Sequence, residues 1–350
     1  MTEITELGAL LDQAPPPVSV ADAEAVARET FGIIGKAKLL SGERDHNFYL
    51  QDARGYEFVL KFVHPAEDPA VTLFQSAALL HLTNTQSDLP TPRLIRKRGR
   101  TDLDCVWSPP DQPQRRLRML TYLPGEPLHL RPPSADLRRD LGACLARLDL
   151  ALAEFSHPAD SYRLLWDVQH AGSVRGLLAD LPADRRTLPL QALDRFERHA
   201  APVLPSLRAQ VIHNDFNPHN ILAEGDTIVG IIDFGDMVRA PLVQDLATAA
   251  AYQIGTDGPI LQNAAEMVAA FHAICPLTEV ELSVLVDLIA ARLMLTIAIS
   301  SWRAQRHPDN AAYILRNQPV AWTGLERLTA ISRAEAFDTL TKACAQEVTP

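Results

Sequence analysis

The residues from Val211 to Asp236, VIHNDFNPHNILAEGDTIVGIIDFGD, constrain the fold more than any other part of the sequence. They contain a His-x-Asp, an Asn five residues after that Asp, and an Asp-Phe-Gly thirteen residues after the Asn. Short apolar runs flank each polar group, a pattern typical of buried strands that carry polar residues at their ends. Gly225 and Asp226 lie between two of these runs and predict a tight hairpin turn.

The spacing of the polar residues matches a chemical requirement. Phosphoryl transfer needs a carboxylate that orients the acceptor hydroxyl and takes its proton, and it needs hard oxygen ligands for Mg²⁺. In the kinase catalytic loop an Asp is followed at the fifth residue by a metal-binding Asn, and a later Asp-Phe-Gly supplies the second metal ligand. Asp215, Asn220 and Asp233 fall in these places. Each alone is more often a cap or turn residue, so the interpretation depends on all three together.

At these residues the sequence resembles the phosphotransferase enzyme family, the aminoglycoside phosphotransferase-like small-molecule kinases. The stretches HNDFNPHN and IIDFGDM are most similar to the hydroxylysine kinase branch, which includes kinase domains fused to aminotransferases. The resemblance implies an α+β, bilobal protein-kinase-like fold, with an antiparallel sheet plus helix in the N-lobe and a mainly helical C-lobe. We expect the N-lobe over 1–119, a hinge over 120–125 and a C-lobe over 126–350 that holds the catalytic loop, metal site and a helical substrate subdomain.

The resemblance also assigns roles to the residues of the motif. Asp215 would be the catalytic base, and Asn220 and Asp233 would hold Mg²⁺ against the terminal phosphates of ATP or GTP. His213 and Asn217 would be structural members of the site. For His213 the expected role is to brace the catalytic loop by hydrogen bonding.

The region from Ile33 to Val63 predicts three strands joined by turns. A helix is predicted before it, between an N-cap at Ser19 and a C-cap at Gly32, and is expected to pack on the outside of the sheet. The third strand carries Lys61 among apolar neighbours, on the same face as Val59. A cation in such a strand either points to solvent or meets an anion. We expect it to contact the nucleotide phosphates.

The loop after the first strand lacks a full glycine-rich pattern and contains only Gly42. Backbone N–H groups around Ser41 and Gly42, together with the Arg44 side chain, would have to hold the phosphates instead. At the hinge, the backbone of Thr121 and Leu123 would bond the purine edge. All five residues are therefore predicted to bind nucleotide.

The next helix, predicted over 71–82, bears on the orientation of Lys61. A kinase-like lobe usually places a Glu on this helix to pair with the Lys. The sequence has Gln75 there, and the acids Glu67 and Asp68 stand only at its start. If Gln75 occupies the Glu position, an amide would orient Lys61. A further short helix is predicted over 3–12.

After the hinge the apolar spacing becomes helical. Helices are predicted over 134–154, 190–204, 241–254, 259–274, 278–306 and, with breaks at Pro308 and Pro319, over 310–345.

The helix over 278–306 carries a polar face that predicts the acceptor site. Arg292 and Arg303 share this face and Trp302 lies beside it, so we expect them, with Asp236, to bind substrate. A buried Arg needs an anion. One alternative is a structural ion pair with an acid such as Asp245. The other is a bidentate contact with a substrate carboxylate, which would favour a hydroxylated amino acid.

Composition limits the partners. The formal net charge of -10 argues against nucleic acid and anionic membranes. The four Cys residues lie far apart in the sequence, which indicates reduced thiols. The start of the sequence lacks the basic region that is typical of secretory signals. The apolar runs are too short to span a bilayer. We therefore expect a cytoplasmic protein whose partners are a nucleotide and a small-molecule hydroxyl acceptor.

Three classes of function remain to be weighed. The first is a Mg²⁺-dependent kinase of a small molecule, most simply a hydroxylated amino acid such as hydroxylysine, with an amino alcohol, choline, homoserine or an aminoglycoside as alternatives. The second is a protein kinase, disfavoured because Asp233-Phe-Gly leads almost directly into a helix, with no long activation segment or Ala-Pro-Glu. The third is a non-catalytic nucleotide-binding module. It is disfavoured because Asp215, Asn220 and Asp233 are all present, whereas an inactive kinase-like domain would have lost one or more of them.

Overall fold

The structure is a computed structural model that describes residues 15–40, 42, 44–86, 88–99, 103–110 and 112–346. The predicted helix over 3–12 and the predicted nucleotide contact at Ser41 lie outside the described residues.

The first described helix, α1 (Val20–Val26), has the predicted caps. The Ser19 hydroxyl accepts the N–H of Asp22, and the Asp22 carboxylate accepts the N–H of Ser19 in return. One π-helical turn, Ala27–Phe31, extends the helix to Gly32. The φ of 73° at Gly32 lies in the left-handed region, which a residue without a Cβ adopts readily.

An antiparallel sheet dominates the N-terminal part. Its strands are β1 (Gly35–Leu40), β2 (His46–Asp52), β3 (Glu57–Phe62), β4 (Leu94–Ile95), β5 (Val106–Trp107) and β6 (Arg115–Thr121), and helix α2 (Pro69–Thr85) connects β3 to β4. The order is β1-β2-β3-β6-β4, with β5 also paired to β6. Phe48, Leu50, Leu60 and Phe62 alternate along β2 and β3 and pack against α1. Lys61 points to the other face with Val59, as predicted.

The rest of the chain is mainly helical, which confirms the predicted α+β class with a helical C-terminal part. The helices are α3 (Ala135–Leu152), α4 (Arg175–Ala179), α5 (Thr187–Arg195), α6 (Leu242–Ala251), α7 (Gln262–Ile274), α8 (Glu279–Arg306), α9 (Ala311–Ile314), α10 (Gln318–Leu328) and α11 (Arg333–Ala345). Most predicted helices agree with the structure to within about three residues at each end, and two predicted ranges differ more. The helix expected over 190–204 begins at Thr187 and ends in a π-helical turn, Phe196–Ala200. The region 310–345 forms three helices, with Pro319 in the first turn of α10.

Two small antiparallel ribbons carry the motif stretch. Strands β9 (Ile221–Glu224) and β10 (Thr227–Ile231) form the predicted hairpin, and β7 (Glu126–Pro127) pairs with β9. Strand β8 (Ala209–Ile212) pairs with β11 (Val238–Pro241). The polar residues of the motif therefore follow β8, precede β9 and follow β10, at the ends of short buried strands.

Helix α8 is the central element of the helical core. Its length and apolar composition would suffice to cross a membrane, but 94% of its most apolar window is buried inside the fold. A buried acid on it, Asp287, accepts hydrogen bonds from Arg195 of α5 at 3.1 Å and from Arg333 of α11 at 2.7 Å. Three helices are thus joined at one buried carboxylate.

Gly142 of helix α3 lies directly against the backbone of helix α7. A Cβ on this residue would overlap the carbonyl oxygen of Met267 and lie 3.0 Å from its carbonyl carbon and 3.2 Å from the Phe271 nitrogen. These are backbone atoms of α7, so they cannot move aside as the end of a flexible side chain can. The absence of a side chain at Gly142 sets the separation of the two helices.

We expect Gly142→Ala to lower the free energy of unfolding by about 1–3 kcal/mol, because the added methyl forces α3 and α7 apart. Urea denaturation measures the change. Gly176→Ala on α4 is the matched control, since its Cβ would meet nothing within 4 Å. The control should be neutral or slightly stabilising. Equal effects of the two substitutions would contradict this account of the contact.

Candidate active site

The loop that follows β8 is fixed by one buried acid. The backbone N–H groups of His213 and Asn214 donate to the two carboxylate oxygens of Asp245, each at 2.8 Å. Asn214 has a φ of 63°, a left-handed conformation that side-chain-bearing residues seldom adopt. The side-chain amide of Gln244 donates to the side-chain oxygen Oδ1 of Asn214 at 2.9 Å and holds the residue in place. Adjacent residues of α6 therefore set the course of the loop.

His213 lies inside the fold, where the sequence predicts that it braces the loop. Its Nε2 is 3.1 Å from the carbonyl oxygen of Ile232, and its Nδ1 accepts the N–H of Asp215 at 3.3 Å. The ring packs edge-on against Phe234, with 4.9 Å between centroids. The side chain thus joins the His-x-Asp loop to the strand that leads into Asp233.

Asp215 sits between an amide and a guanidinium. The Asn220 amide donates to its Oδ2 at 2.8 Å and to its backbone oxygen at 3.1 Å, while Arg292 Nη2 donates to its Oδ1 at 2.8 Å. Asn217 donates its backbone N–H to the same backbone oxygen at 2.8 Å. Burial raises the pKa of Asp215 to about 6, although Arg292 opposes the shift. A carboxylate with such a pKa is ionised at neutral pH and is a better proton acceptor than an ordinary Asp.

Arg292 is buried and meets a different acid from the one suggested by sequence. Its partner is Asp215, whereas Asp245 is occupied by the loop backbone. The guanidinium also lies 5.8 Å from the ring centroid of Trp166. Burial favours a lower pKa for Arg292, but Tyr252 and Asp215 outweigh it, so the pKa is raised and the guanidinium stays charged. Trp166 and Tyr252 thus flank the charged pair.

The other two side chains predicted to bind substrate on this helix lie elsewhere. Arg303 follows Arg292 by eleven residues, about 16 Å along the helix axis. Trp302 is packed in the core, and Arg306 stacks over its ring at 4.3 Å. Among the described residues, only Arg292 of these three contacts Asp215. The helical spacing places Arg292 and Arg303 on similar sides of α8, and the predicted contact of Arg303 with substrate stays a prediction.

Asp233 follows β10 with a φ of 61°, a strained conformation that turns its carboxylate into the cleft. Its Oδ1 lies 3.6 Å from Lys61 Nζ, and half of its side chain is exposed. Lys61 is the main reason that the pKa of Asp233 falls to about 2. The carboxylate is therefore ionised and accessible. Together with the side-chain oxygen of Asn220, it offers the hard oxygen ligands that suit Mg²⁺.

The predicted phosphate loop contacts the same segment. Arg44 forms an ion pair with Asp236 at 2.7 Å, which also accounts for the raised pKa of Arg44. Gly42 is tightly enclosed, because a Cβ there would lie 2.6 Å from the backbone oxygen of Asp45. Asp236 is thus engaged from the N-terminal part, next to the Asp-Phe-Gly turn. Its predicted contact with substrate remains a prediction.

At the predicted hinge, the strand pairing uses part of the backbone. Thr121 donates its N–H to the carbonyl oxygen of Arg93 at 2.9 Å, and Tyr122 donates to Glu57 at 3.0 Å. Leu123 is half-buried just beyond β6. The purine contacts of Thr121 and Leu123 remain predictions, with the N–H of Thr121 already engaged.

Several residues that sequence reasoning did not single out meet at the site. Tyr162 donates to the carbonyl oxygen of Gly235 at 3.2 Å, and Asp45 lies 3.9 Å from Lys61. Trp166 and Tyr252 flank Arg292, as described above. These side chains come from loops and helix ends and have no characteristic spacing. The presence of acidic and aromatic residues in segments without regular spacing is the one sequence feature that could have drawn attention to them.

Comparison with proteins of known structure supports the predicted protein-kinase-like fold. The microcompartment-associated aminopropanol kinase superposes with a TM-score of 0.64, at 19% identity, covering 94% of this chain and 99% of that chain. Spectinomycin phosphotransferase APH(9)-Ia superposes with a TM-score of 0.60, at 12% identity, covering 94% and 99% of the two chains. At these identities the likeness concerns the fold alone.

Sequence relatives cover most of the chain. Hydroxylysine kinase of Mus musculus is 27% identical over 341 residues, which is 90% of this chain and 90% of the relative. Homoserine kinase of Hyphomonas neptunium is 27% identical over 284 residues, 75% of this chain and 80% of the relative. The model of the phosphotransferase enzyme family matches residues 36–281. That range contains Lys61, the catalytic-loop motif and the Asp-Phe-Gly, and the chain belongs to the phosphotransferase enzyme family of small-molecule kinases.

Proposed function

We propose that the protein transfers the terminal phosphoryl group of ATP or GTP to the hydroxyl of a small molecule, with Asp215 as the proton acceptor. The observation that carries the proposal is the environment of Asp215. Its carboxylate is held by Asn220 and Arg292, and its pKa is raised to about 6 by burial. A fixed carboxylate of this basicity can orient an acceptor hydroxyl and take its proton.

The remaining charged groups suit the donor side of the reaction. Asn220 and Asp233 would hold Mg²⁺, which when bound offsets the negative charge of the phosphates. Lys61 and Arg44 would contact the phosphates themselves. No covalent intermediate is needed, because positioning and electrostatic stabilisation supply the acceleration.

For the acceptor, we propose a hydroxylated amino acid such as hydroxylysine. Two observations support it: the similarity to hydroxylysine kinases over 90% of the chain, and a buried, charged Arg292 at the proton acceptor. Arg292 Nη2 donates to Asp215 at 2.8 Å and Nη1 donates only weakly to the carbonyl oxygen of Trp166 at 3.4 Å, so a substrate carboxylate would bind by taking the place of the Trp166 contact. Homoserine shares the amino-acid carboxylate, and homoserine kinases are among the relatives. An amino alcohol, choline or an aminoglycoside would bring no anion to Arg292.

We expect Asp215→Asn to lower kcat by roughly 10²–10⁴-fold while nucleotide binding persists, because the base acts on the acceptor hydroxyl and not on the nucleotide. Single-turnover phosphoryl transfer and nucleotide titration measure the two quantities. Asn keeps the shape of the side chain but leaves the buried Arg292 without its counter-charge, so thermal melting is measured in parallel to show that the variant is folded at the assay temperature. A near-normal kcat would refute the assignment.

Asp233→Ala should remove the Mg²⁺ dependence of nucleotide affinity, since the carboxylate is a proposed metal ligand. Isothermal titration with ATP or GTP, with and without Mg²⁺, tests this expectation. Glu224→Ala, an exposed acid in the adjoining hairpin, is the control for a general loss of negative charge. If Asp233→Ala and the parent respond equally to Mg²⁺, the metal role belongs to other residues.

Arg292→Gln should raise KM for the acceptor and also lower kcat, with KM for the nucleotide little changed. Loss of the ion pair frees Asp215 Oδ1, and loss of the guanidinium removes the carboxylate contact. Steady-state kinetics with hydroxylysine, homoserine, ethanolamine and kanamycin give both parameters. Arg306→Gln, on the exposed end of the same helix, should behave like the parent.

The same acceptor panel tests the proposed substrate class. Acceptors without a carboxylate should be poor substrates for the parent enzyme. Efficient phosphorylation of ethanolamine or kanamycin, with the hydroxy amino acids inert, would contradict the choice of acceptor and leave the proposed chemistry standing.

A further inference from the structure

Helix α2 does not provide the partner of Lys61. In kinase-like lobes a carboxylate on this helix usually pairs with the strand lysine. Gln75 is the residue at issue, and its buried side chain donates instead to the carbonyl oxygen of Gly235 at 3.0 Å. The helix therefore contacts the Asp-Phe-Gly segment directly. Of the carboxylates beside Lys61, Asp233, at 3.6 Å, is itself a proposed metal ligand, so a second carboxylate is needed to hold the lysine when Asp233 binds metal.

A carboxylate from the loop before β2 lies beside Lys61. Asp45 Oδ2 is 3.9 Å from Lys61 Nζ and 3.9 Å from Arg118 Nη2. Lys61 and Arg118 are direct partners in the β3–β6 pairing, so their side chains leave the same face of the sheet. Asp45 thus stands between two cations. Its side chain is only 15% exposed, which strengthens both attractions relative to a surface pair.

Asp45 is itself held in place. Its Oδ1 accepts the backbone N–H of His64 at 3.0 Å, just beyond the end of β3. On the other side, its backbone oxygen packs against Gly42, where no side chain would fit. The carboxylate is therefore fixed to the strand that carries Lys61 and to the predicted phosphate loop.

Arg118 gives a reason for this arrangement. Its side chain is 5% exposed and its Nε has no hydrogen-bond partner among the described residues. Burial lowers the pKa of Arg118, and Asp45 is the main group that opposes the shift. A second buried cation beside Lys61 would repel it unless a carboxylate lay between them. Asp45 is in that position.

We propose that Asp45 is the positioning residue for Lys61, in the place of the helix carboxylate, with Arg118 supporting Asp45 from the neighbouring strand. The inference rests on the proposed function, in which Lys61 contacts the nucleotide phosphates. Through Asp45, the predicted phosphate loop and Lys61 are held in a fixed position relative to each other. Helix α2 instead acts on the segment that carries Asp233.

A double-mutant cycle tests the proposal. Asp45→Asn keeps the oxygen that accepts the His64 N–H but removes the charge that faces Lys61. We expect kcat/KM for the nucleotide to fall by about 10-fold to 100-fold, with KM for the acceptor unchanged. In a Lys61→Met background, Asp45→Asn should cause little further loss, because its effect acts through the lysine. The surface acid Asp104, paired with Arg116, supplies the control Asp104→Asn, which should behave like the parent.

The four proteins of the cycle are the parent, Asp45→Asn, Lys61→Met and the double variant. Their dissociation constants for ATP and GTP and their melting temperatures are compared as well. Losses that multiply in the double mutant, or parental values for Asp45→Asn, would overturn the inference. The binding cycle decides the role of Asp45 even if no acceptor is phosphorylated, because it needs no turnover. Absence of phosphoryl transfer by the parent across the acceptor panel would instead count against the proposed function.

Discussion

The carboxylate of Asp245 determines the backbone conformation from which the whole site is built. It accepts two successive N–H groups, from His213 and Asn214, at a place where the chain adopts a left-handed turn. Such a conformation costs on the order of 1–3 kcal/mol and persists only when its surroundings enforce it. Because the turn directs Asp215 toward Arg292 and Asn220, loss of the buried acceptor would leave two unsatisfied N–H groups and an unfixed catalytic loop.

The segment from Asp233 to Asp236 joins the two halves of the molecule. Its polar contacts with the described residues include those of Lys61, Arg44 and Gln75 from the N-terminal part and that of Tyr162 from the helical part. Two of these contacts are ionic and two are hydrogen bonds to one backbone carbonyl, that of Gly235. The position of the proposed metal ligand Asp233 therefore depends on how the sheet sits over the helices.

Much of the fold could be predicted because it depends on local patterns. The caps at Ser19 and Gly32, the hairpin at Gly225 and the helical apolar spacing all involve neighbours in sequence. Asp215, Asn220 and Asp233 could be recognised as candidate site residues because their fixed spacings coincide with the ends of predicted strands. The pairing of Arg292 with Asp215 could not, since it joins residues 77 apart and a buried Arg accepts any acid that the packing brings near.

The partner of Lys61 was hidden for the same reason. The sequence directs attention to helix α2, where Gln75 stands, and gives no sign that its amide reaches a carbonyl 160 residues further on. Asp45 looked like one polar residue of a loop. Its significance depends on strand register, which places Arg118 opposite Lys61 and leaves a gap between two cations for one carboxylate.

The buried Asp287 on α8 has a consequence for the boundaries of any shortened version of this protein. Its charge is balanced by two arginines, and one of them, Arg333, belongs to the helix nearest the C-terminus. Leaving a buried carboxylate partly uncompensated costs several kcal/mol, a large part of the stability of an ordinary domain. The last helix is therefore a structural requirement of the catalytic half. A deletion meant only to trim a tail would have to leave Arg333, the first residue of α11, in place to avoid weakening the helix that carries Arg292.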